Sequence, residues 1–225
     1  FRESFGSHVT LFPDEMKIYP CETTPYTVIK KWFDEGKYMP YANTNPEALL
    51  DVIVHAMTLC PRWCRLVRVI RDIPTTYIEA GNVVPNLRQI AEERINQLGL
   101  TTNDIRFREI GRNASQLPTN YFVEKYSDED WFVSCETIDR KALIGFIRLR
   151  IPDPDRHNPT FGVLLKRGLI RELHVYGEQK ETHDKTENKY SEKQHKGIGK
   201  TLVKMAENIA FNNNCIGTAV ISGEG

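Results

Sequence analysis

Gln194-His195-Lys196-Gly197-Ile198-Gly199-Lys200-Thr201 lies between a long polar stretch and an apolar helical pattern, and its two glycines decide how the second half of the chain is read. Gly197 and Gly199 carry no Cβ, so a ligand can approach their backbone closely. Leu202, Met205, Ala206, Ile209 and Ala210 then recur at helical spacing, which places the glycines at a helix start. There the first N–H groups have no intrahelical partner and point outward at the positive end of the helix dipole. Such a turn binds phosphate. The pattern is neither Gly-x-x-x-x-Gly-Lys-Ser/Thr nor a Gly-x-Gly-x-x-Gly after a strand, so a nucleotide-hydrolase reading fails at the spacing.

Working outward, residues 178–196 are almost wholly polar, with Lys180, Lys185, Lys189, Lys193 and Lys196 balanced by Glu178, Glu181, Asp184, Glu187 and Glu192, the composition of a solvated loop. Before that loop Leu169 to Val175 predicts a strand ending at Gly177, and after the helix Thr218 to Ser222 predicts a buried strand. Further upstream, Trp131 to Glu136 and Leu143 to Leu149 form two strands across the polar turn Thr137 to Lys141, an antiparallel hairpin. The prolines at 152, 154 and 159 make Ile151 to Thr160 a loop. A mixed sheet begins near residue 118.

The first half alternates strand and helix. Asp14 to Pro20 contains a short strand, and a helical stretch surrounds Val28 to Phe33. Asn45 followed by Pro46 is a cap with proline at the first helical position, and Leu49, Leu50, Ile53, Val54 and Met57 make one apolar face. Leu66 to Ile70 is strand-like and is broken by Pro74; Leu87, Ile90, Ala91, Ile95 and Leu98 mark a second amphipathic helix that stops at Gly99. This alternation suits the last units of a parallel α/β assembly, such as a barrel whose earlier strands lie elsewhere. The first residue is Phe1 and the last strand ends three residues before the terminus, so the chain is expected to be a piece of a longer protein.

Thirty Lys and Arg against thirty Asp and Glu give no net charge, which argues against a basic nucleic-acid arm but leaves local basic faces open. With 40% apolar and 27% charged residues the composition is that of a globular protein rather than a disordered or fibrous one. No apolar run reaches the length of a membrane span, so no membrane partner is expected. Five scattered cysteines match no secreted disulfide framework and point to a reducing, cytoplasmic setting.

Gln194-x-x-Gly197-x-Gly199 resembles the pyrophosphate-binding motif of the GNAT acetyltransferases, in which the loop holds acetyl-CoA. Together with Ile170-Arg171-Glu172-Leu173-His174-Val175-Tyr176-Gly177 and Ala219-Val220-Ile221-Ser222-Gly223, the chain resembles the family of the catalytic subunit of Elongator, which joins a radical SAM barrel to a GNAT-like domain. In the first half Lys17-Ile18-Tyr19-Pro20 is similar to that family's last barrel strand, and Arg71-Asp72-Ile73-Pro74, Gly81-Asn82 and Asn86-Leu87-Arg88 to its linker region. The resemblance implies an α/β fold: residues 1–80 as the end of a radical SAM-type (β/α) barrel and the start of a linker, 81–117 as linker, and 118–225 as a GNAT-like mixed α/β domain, incomplete at its C-terminus. It also implies that the cysteine triplet for a 4Fe-4S cluster lies before Phe1 and the family's paired tyrosines after Gly225.

What the resemblance implies for function is modification of the wobble uridine of tRNA. Acetyl-CoA bound in the GNAT-like domain is hydrolysed when tRNA binds, and S-adenosylmethionine cleaved at the cluster gives the radical that places an acetyl-derived carbon on carbon 5 of the base. Leu173, His174 and Val175, with Glu172, match the strand offering backbone partners to the pantetheine arm. Gln194, Gly197, Gly199, Lys200 and Thr201, with His195, Lys196 and Ile198 between them, match the loop around the pyrophosphate. Other Elongator subunits or a second copy are the implied protein partners.

No general base is assigned. His174 and Glu172 alternate with Leu173 and can share one face, either near the thioester or as hydrogen-bonded structural groups. Between Arg62 and Arg112 nine arginines meet six acidic residues, and Arg71, Arg88, Arg106 and Arg108 are candidate RNA contacts, Arg106 and Arg108 on one strand face; a salt-bridged surface explains them equally. Cys60 and Cys64 are zinc candidates or packed free thiols, and His55 reads as a helix-surface residue. Two other functions stay open: a protein lysine acetyltransferase with the same cofactor site, and a non-catalytic tRNA-binding platform.

Overall fold

The computed structural model describes residues 11, 13–110, 118–154, 159–176 and 197–220. The chain is mixed α/β and divides into two units, Phe1–Phe107 and Arg108–Gly225. The polar stretch 178–196, with Gln194, His195 and Lys196, lies outside the described residues.

In the first unit β1 (Glu15–Lys17) pairs in parallel with β2 (Arg65–Arg68), Met16 opposite Leu66. Parallel neighbours need a crossover, here supplied by α1 (Val28–Asp34), the short α2 (Tyr41–Thr44) and α3 (Pro46–Thr58). Helices α1 and α3 each start at a side-chain cap. Thr27 Oγ1 accepts the Lys30 N–H at 3.3 Å, and Asn45 Oδ1 accepts that of Ala48 at 3.1 Å ahead of Pro46. The apolar face anticipated for α3 buries Leu49, Leu50, Ile53, Val54 and Met57 against Leu66, Val69 and the Leu87, Ala91 and Ile95 face of α4 (Leu87–Gln97). Gly99, at φ +64°, adopts the left-handed conformation that ends a helix.

Backbone polar groups of β2 are also met by side chains. The Leu66 N–H donates to Asp104 Oδ1 at 2.7 Å, and the Leu66 carbonyl accepts from Arg88 at 2.7 Å. Arg88 closes the loop with an ion pair to the fully buried Asp104 and another to Glu92 at 2.8 Å. A strand edge is thereby satisfied without a further strand. The next element, α5 (Ile105–Arg108), is a helical turn. This corrects the shared strand face expected for Arg106 and Arg108: Asp104 Oδ1 accepts the Arg106 N–H at 3.1 Å, an Asx-type start that turns the backbone instead of extending it.

The second unit is a five-stranded sheet in the order β3 (Thr119–Lys125), β4 (Asp130–Thr137), β5 (Leu143–Arg150), β6 (Arg167–Val175), β7 (Gly217–Val220). Neighbours are antiparallel except β6 and β7, which are parallel and joined through α6 (Ile198–Asn212). The expected hairpin is present as β4 and β5, and the expected third strand as β6. β3 was not anticipated. Ile198, Leu202, Ala206 and Ala210 run down one side of α6 and pack on Val133, Cys135, Ile147, Leu149 and Ile170 of the sheet. The approach is close because Gly168 carries no side chain; a Cβ there would lie 3.0 Å from Leu149 Cδ1 and 3.1 Å from Ala210 Cβ. The opposite face is buried as well, by Phe132, Phe146 and Arg148, which explains why β4 and β5 read as nearly continuous apolar runs.

Candidate functional site

Two features of the second unit meet at one place. β7 pairs with β6 only from Arg167 to Ile170, so among the described residues Arg171 to Val175 has a neighbouring strand on the β5 side alone. The Tyr176 N–H donates to the Ile144 carbonyl of that neighbour at 2.8 Å. Alternation along a strand then turns the N–H and C=O of Leu173 and Val175 away from β5, toward the open edge. Leu173 is 44% exposed and Val175 38%, unusual for the interior side of a mixed sheet. Unpaired peptide groups of this kind are suited to an amide-bearing ligand.

The second feature is the start of α6. Gly197 is its N-cap, at φ 104° and ψ −10°, with no side-chain cap, and nothing lies within 4 Å of where its Cβ would be. The first helical bond runs from the Thr201 N–H to the Gly197 carbonyl at 2.8 Å. The N–H groups of Ile198, Gly199 and Lys200 precede it and are the orphan donors of the first turn. A Cβ on Gly199 would sit 3.6 Å from Val175 Cγ2, so this turn stands against the end of the open β6 edge. Amide donors, the positive end of a helix of about four turns and the exposed Lys200 make the turn a receptor for an anion. Adjacent to it, the β6 edge can take an extended chain carrying peptide-like groups. Coenzyme A has both parts, and the glycine cradle and open edge fit it.

Glu172 and His174 do share a face, and it is the face away from α6. Glu172 lies opposite Arg148, whose Nε donates to its carboxylate at 2.8 Å, and His174 lies opposite Phe146, stacked on its ring at 6.1 Å and 11°. Arg148, 1% exposed, lies over the rings of Phe132 and Phe146 at 5.4 and 5.1 Å. Tyr176, 4.3 Å from the His174 ring, donates its hydroxyl to Glu109 at 3.1 Å. These are structural engagements of both side chains, and they leave the main chain of β6 as its ligand-facing part.

Elongator complex protein 3 of Schizosaccharomyces pombe is 33% identical to this chain over 221 residues, which is 94% of the chain and 39% of that protein. Its human namesake is 34% identical over 224 residues. Residues 13–97 match the Radical_SAM C-terminal domain family. The chain is a homologue of Elongator complex protein 3. A protein named tRNA uridine(34) acetyltransferase, from Methanocaldococcus infernus, is 34% identical over 223 residues, and the solved structure of the archaeal Methanocaldococcus infernus Elp3 with an N-terminal deletion superposes with a TM-score of 0.73, 30% identity, and coverage of 94% of this chain and 50% of that one. The chain thus spans about two-fifths of the length of the Elongator complex protein 3 relatives it matches.

Within this Elongator complex protein 3 homologue the four candidate arginines differ in what holds them. Arg71 is exposed; Arg106 is exposed and donates to the Val67 carbonyl. Arg88 is held by Leu66, Glu92 and Asp104. Arg108 is 3% exposed and its Nη1 lies 3.2 Å from Glu136 Oε2. Glu136 is itself fully buried and also accepts from Arg140 at 3.1 Å and Ser134 at 2.7 Å. Burial pushes its carboxyl up, but the Arg140 bond, the Arg108 charge and the Ser134 bond together hold it below the usual range. Cys60 and Cys64 sit in the first unit's apolar core, and the Cys60 thiol donates to the Cys64 carbonyl at 3.6 Å. Their surroundings are those of packed thiols. Among the described residues no group of three or more His, Cys, Asp and Glu is arranged to hold a metal, and no helix is long and apolar enough to cross a membrane. Sequence reading missed β3, whose Tyr121 packs against the apolar cluster that α6 covers; the β-forming run Tyr121-Phe122-Val123 was its signal.

Proposed function

We propose that this chain carries the acetyl-CoA site of an enzyme that modifies the wobble uridine of tRNA. In this reading the Arg108–Gly225 unit is a GNAT-like domain, the segment before it is the end of a radical SAM-type barrel with its linker, and the protein works in the cytoplasm, with other Elongator subunits as its partners. The observation that carries the proposal is the junction of the Gly197 turn with the open edge of β6. The names borne by its relatives, Elongator complex protein 3 and tRNA uridine(34) acetyltransferase, support the substrate.

Acetyl-CoA, when bound, supplies the acetyl group. The residues of this chain hold and orient it. The N–H groups of Ile198, Gly199 and Lys200 hydrogen-bond the diphosphate, and Lys200 adds a full positive charge. The N–H and C=O groups of Leu173 and Val175 pair with the two amides of the pantetheine arm, as a strand added to a sheet edge would. Fixing the arm in this way fixes the thioester at its end without any side chain having to reach it. Among the described residues no group of three or more His, Cys, Asp and Glu could hold a 4Fe-4S cluster, and the radical part of the proposed reaction has no residue assigned here.

The test is acetyl-CoA hydrolysis by the full-length protein with and without tRNA. Stimulation by tRNA is expected. Hydrolysis indifferent to tRNA, accompanied by acetylation of protein lysines, would overturn the proposal in favour of a lysine acetyltransferase, and refusal of acetyl-CoA would leave only a tRNA-binding platform.

A further inference from the structure

We infer that the Val175 side chain is a positioning residue, a spacer that sets the distance between the open edge of β6 and the glycine turn of α6 and so matches both to a single coenzyme A; this rests on the coenzyme A reading above and deepens it.

Val175 belongs to both halves of the site. Its N–H and C=O turn toward the open edge, while its side chain lies on the α6 face, since His174 before it faces the other way. One methyl group, Cγ2, does the spacing. A Cβ built on Gly199 would lie 3.6 Å from it, and among the described residues outside the helix itself no other heavy atom comes within 4 Å of that position. On the strand side, a Cβ built on Gly145 of β5 would lie 3.3 Å from the same methyl. Two glycines, one of the strand and one of the helix turn, therefore flank one branch of one valine.

Gly145 fixes the strand end that carries the spacer. It is the direct partner of Val175, and the Tyr176 N–H bond to the Ile144 carbonyl makes theirs a non-hydrogen-bonded pair, the closer of the two antiparallel kinds. A Cβ at 145 would meet the His174 carbonyl oxygen at 2.9 Å and Val175 Cα at 3.3 Å, so the bare backbone of Gly145 lets the end of β6 lie close to β5. On the other side Ile198 seats the helix turn in the apolar cluster over the sheet. Between these two fixed parts stands the Val175 branch, and a side chain with two carbons on Cβ has little freedom at χ1, as a spacer requires.

The distance matters because the diphosphate and the amide-bearing arm belong to one molecule. Joining two binding parts strengthens binding only where both can be engaged at once. A shift of the turn relative to the edge therefore weakens the joined ligand and spares each part taken alone.

The experiment titrates full-length protein with coenzyme A, with pantetheine, which lacks the diphosphate, and with ADP, which lacks the arm. Val175→Ala removes both branches at an exposed position and leaves the main chain in place. Coenzyme A should bind about 10-fold more weakly, part of the roughly 10²- to 10⁴-fold gain that joining two parts supplies, with pantetheine and ADP binding unchanged. Val175→Leu moves the branch one carbon outward and should reproduce the pattern even where Val175→Ala impairs folding. Val175→Thr, branched at Cβ and of the same shape, should recover most of the loss. Coenzyme A and pantetheine weakened alike would make Val175 a contact of the arm, all three ligands weakened alike would make it a support of the fold, and coenzyme A bound at the wild-type level would make it idle. Each of these, or a Val175→Thr protein as weak as Val175→Ala, overturns the spacer and leaves the coenzyme site standing. A wild-type protein that refuses coenzyme A overturns the site itself, and the spacer with it.

Discussion

Gly197→Ala separates the two properties ascribed to the start of α6. The wild-type backbone sits at φ 104°, where an L residue pays steric strain against its own carbonyl, whereas the position of the new Cβ has no neighbour within 4 Å. The loss in stability is therefore conformational, about 1–2 kcal/mol. For a unit of about a hundred residues each kcal/mol lowers the melting temperature by roughly 4–8 °C. Binding is affected separately, because the methyl group projects into the space that a diphosphate would occupy over the first turn. Gly162→Ala is the control: its Cβ also meets nothing within 4 Å, but its φ is not positive, so neither quantity should change. The assay is calorimetric melting and titration with acetyl-CoA on the same preparations of the full-length protein. A Gly197→Ala protein that melts with the wild type refutes the left-handed cap. One that melts lower yet binds acetyl-CoA at full strength places the ligand elsewhere.

Asp104→Ala removes a fully buried carboxylate from between Arg88 and the Leu66 N–H, leaving a partly buried guanidinium short of its main partner. A loss of about 3–5 kcal/mol is expected, read as a lower urea midpoint with an unchanged slope; a change under 1 kcal/mol would show that the clasp is dispensable. Glu136 has a lowered carboxyl, so the stability it contributes with Arg108 and Arg140 is present above the unfolded carboxylate pKa and is lost as the pH falls through the folded one. Glu136→Gln should accordingly flatten the stability profile below about pH 4.5 while lowering stability at neutral pH, and a variant with the wild-type acid slope would show that other carboxylates set it. Burial pushes the Cys135 and Cys215 thiols up, whereas Cys21 is exposed. Iodoacetamide at neutral pH should label Cys21 well before either, by peptide mass spectrometry, and early labelling of Cys135 would contradict its burial between the sheet and α6.

Much of the secondary structure was legible because its causes are local. The Asn45-Pro46 cap, the apolar spacing of α3, the stop at Gly99 and the turn between β4 and β5 each depend on residues a few positions apart, and each lies where its pattern put it. The readings that failed turned on which partner a backbone group takes, which the residue pattern alone leaves open. β3 carries Glu124 and Lys125 beside Tyr121 and Phe122, a pattern that becomes a strand through its full-length pairing with β4. Arg106 and Arg108 alternate as a strand pair would, but a carboxylate at Asp104 captures the Arg106 N–H and curls the chain.

For the candidate site the division is similar. Sequence alone determined that a glycine-opened helix start follows a strand, because missing Cβ atoms and helical periodicity are properties of the residues themselves. Tertiary structure decided that, among the described residues, β7 pairs with only the first half of β6, that the Gly199 turn lies beside Val175, and that Glu172 and His174 face the other way. Strand pairing and burial are settled by competition among segments scores of residues apart, and no stretch of sequence carries the outcome of that competition within itself.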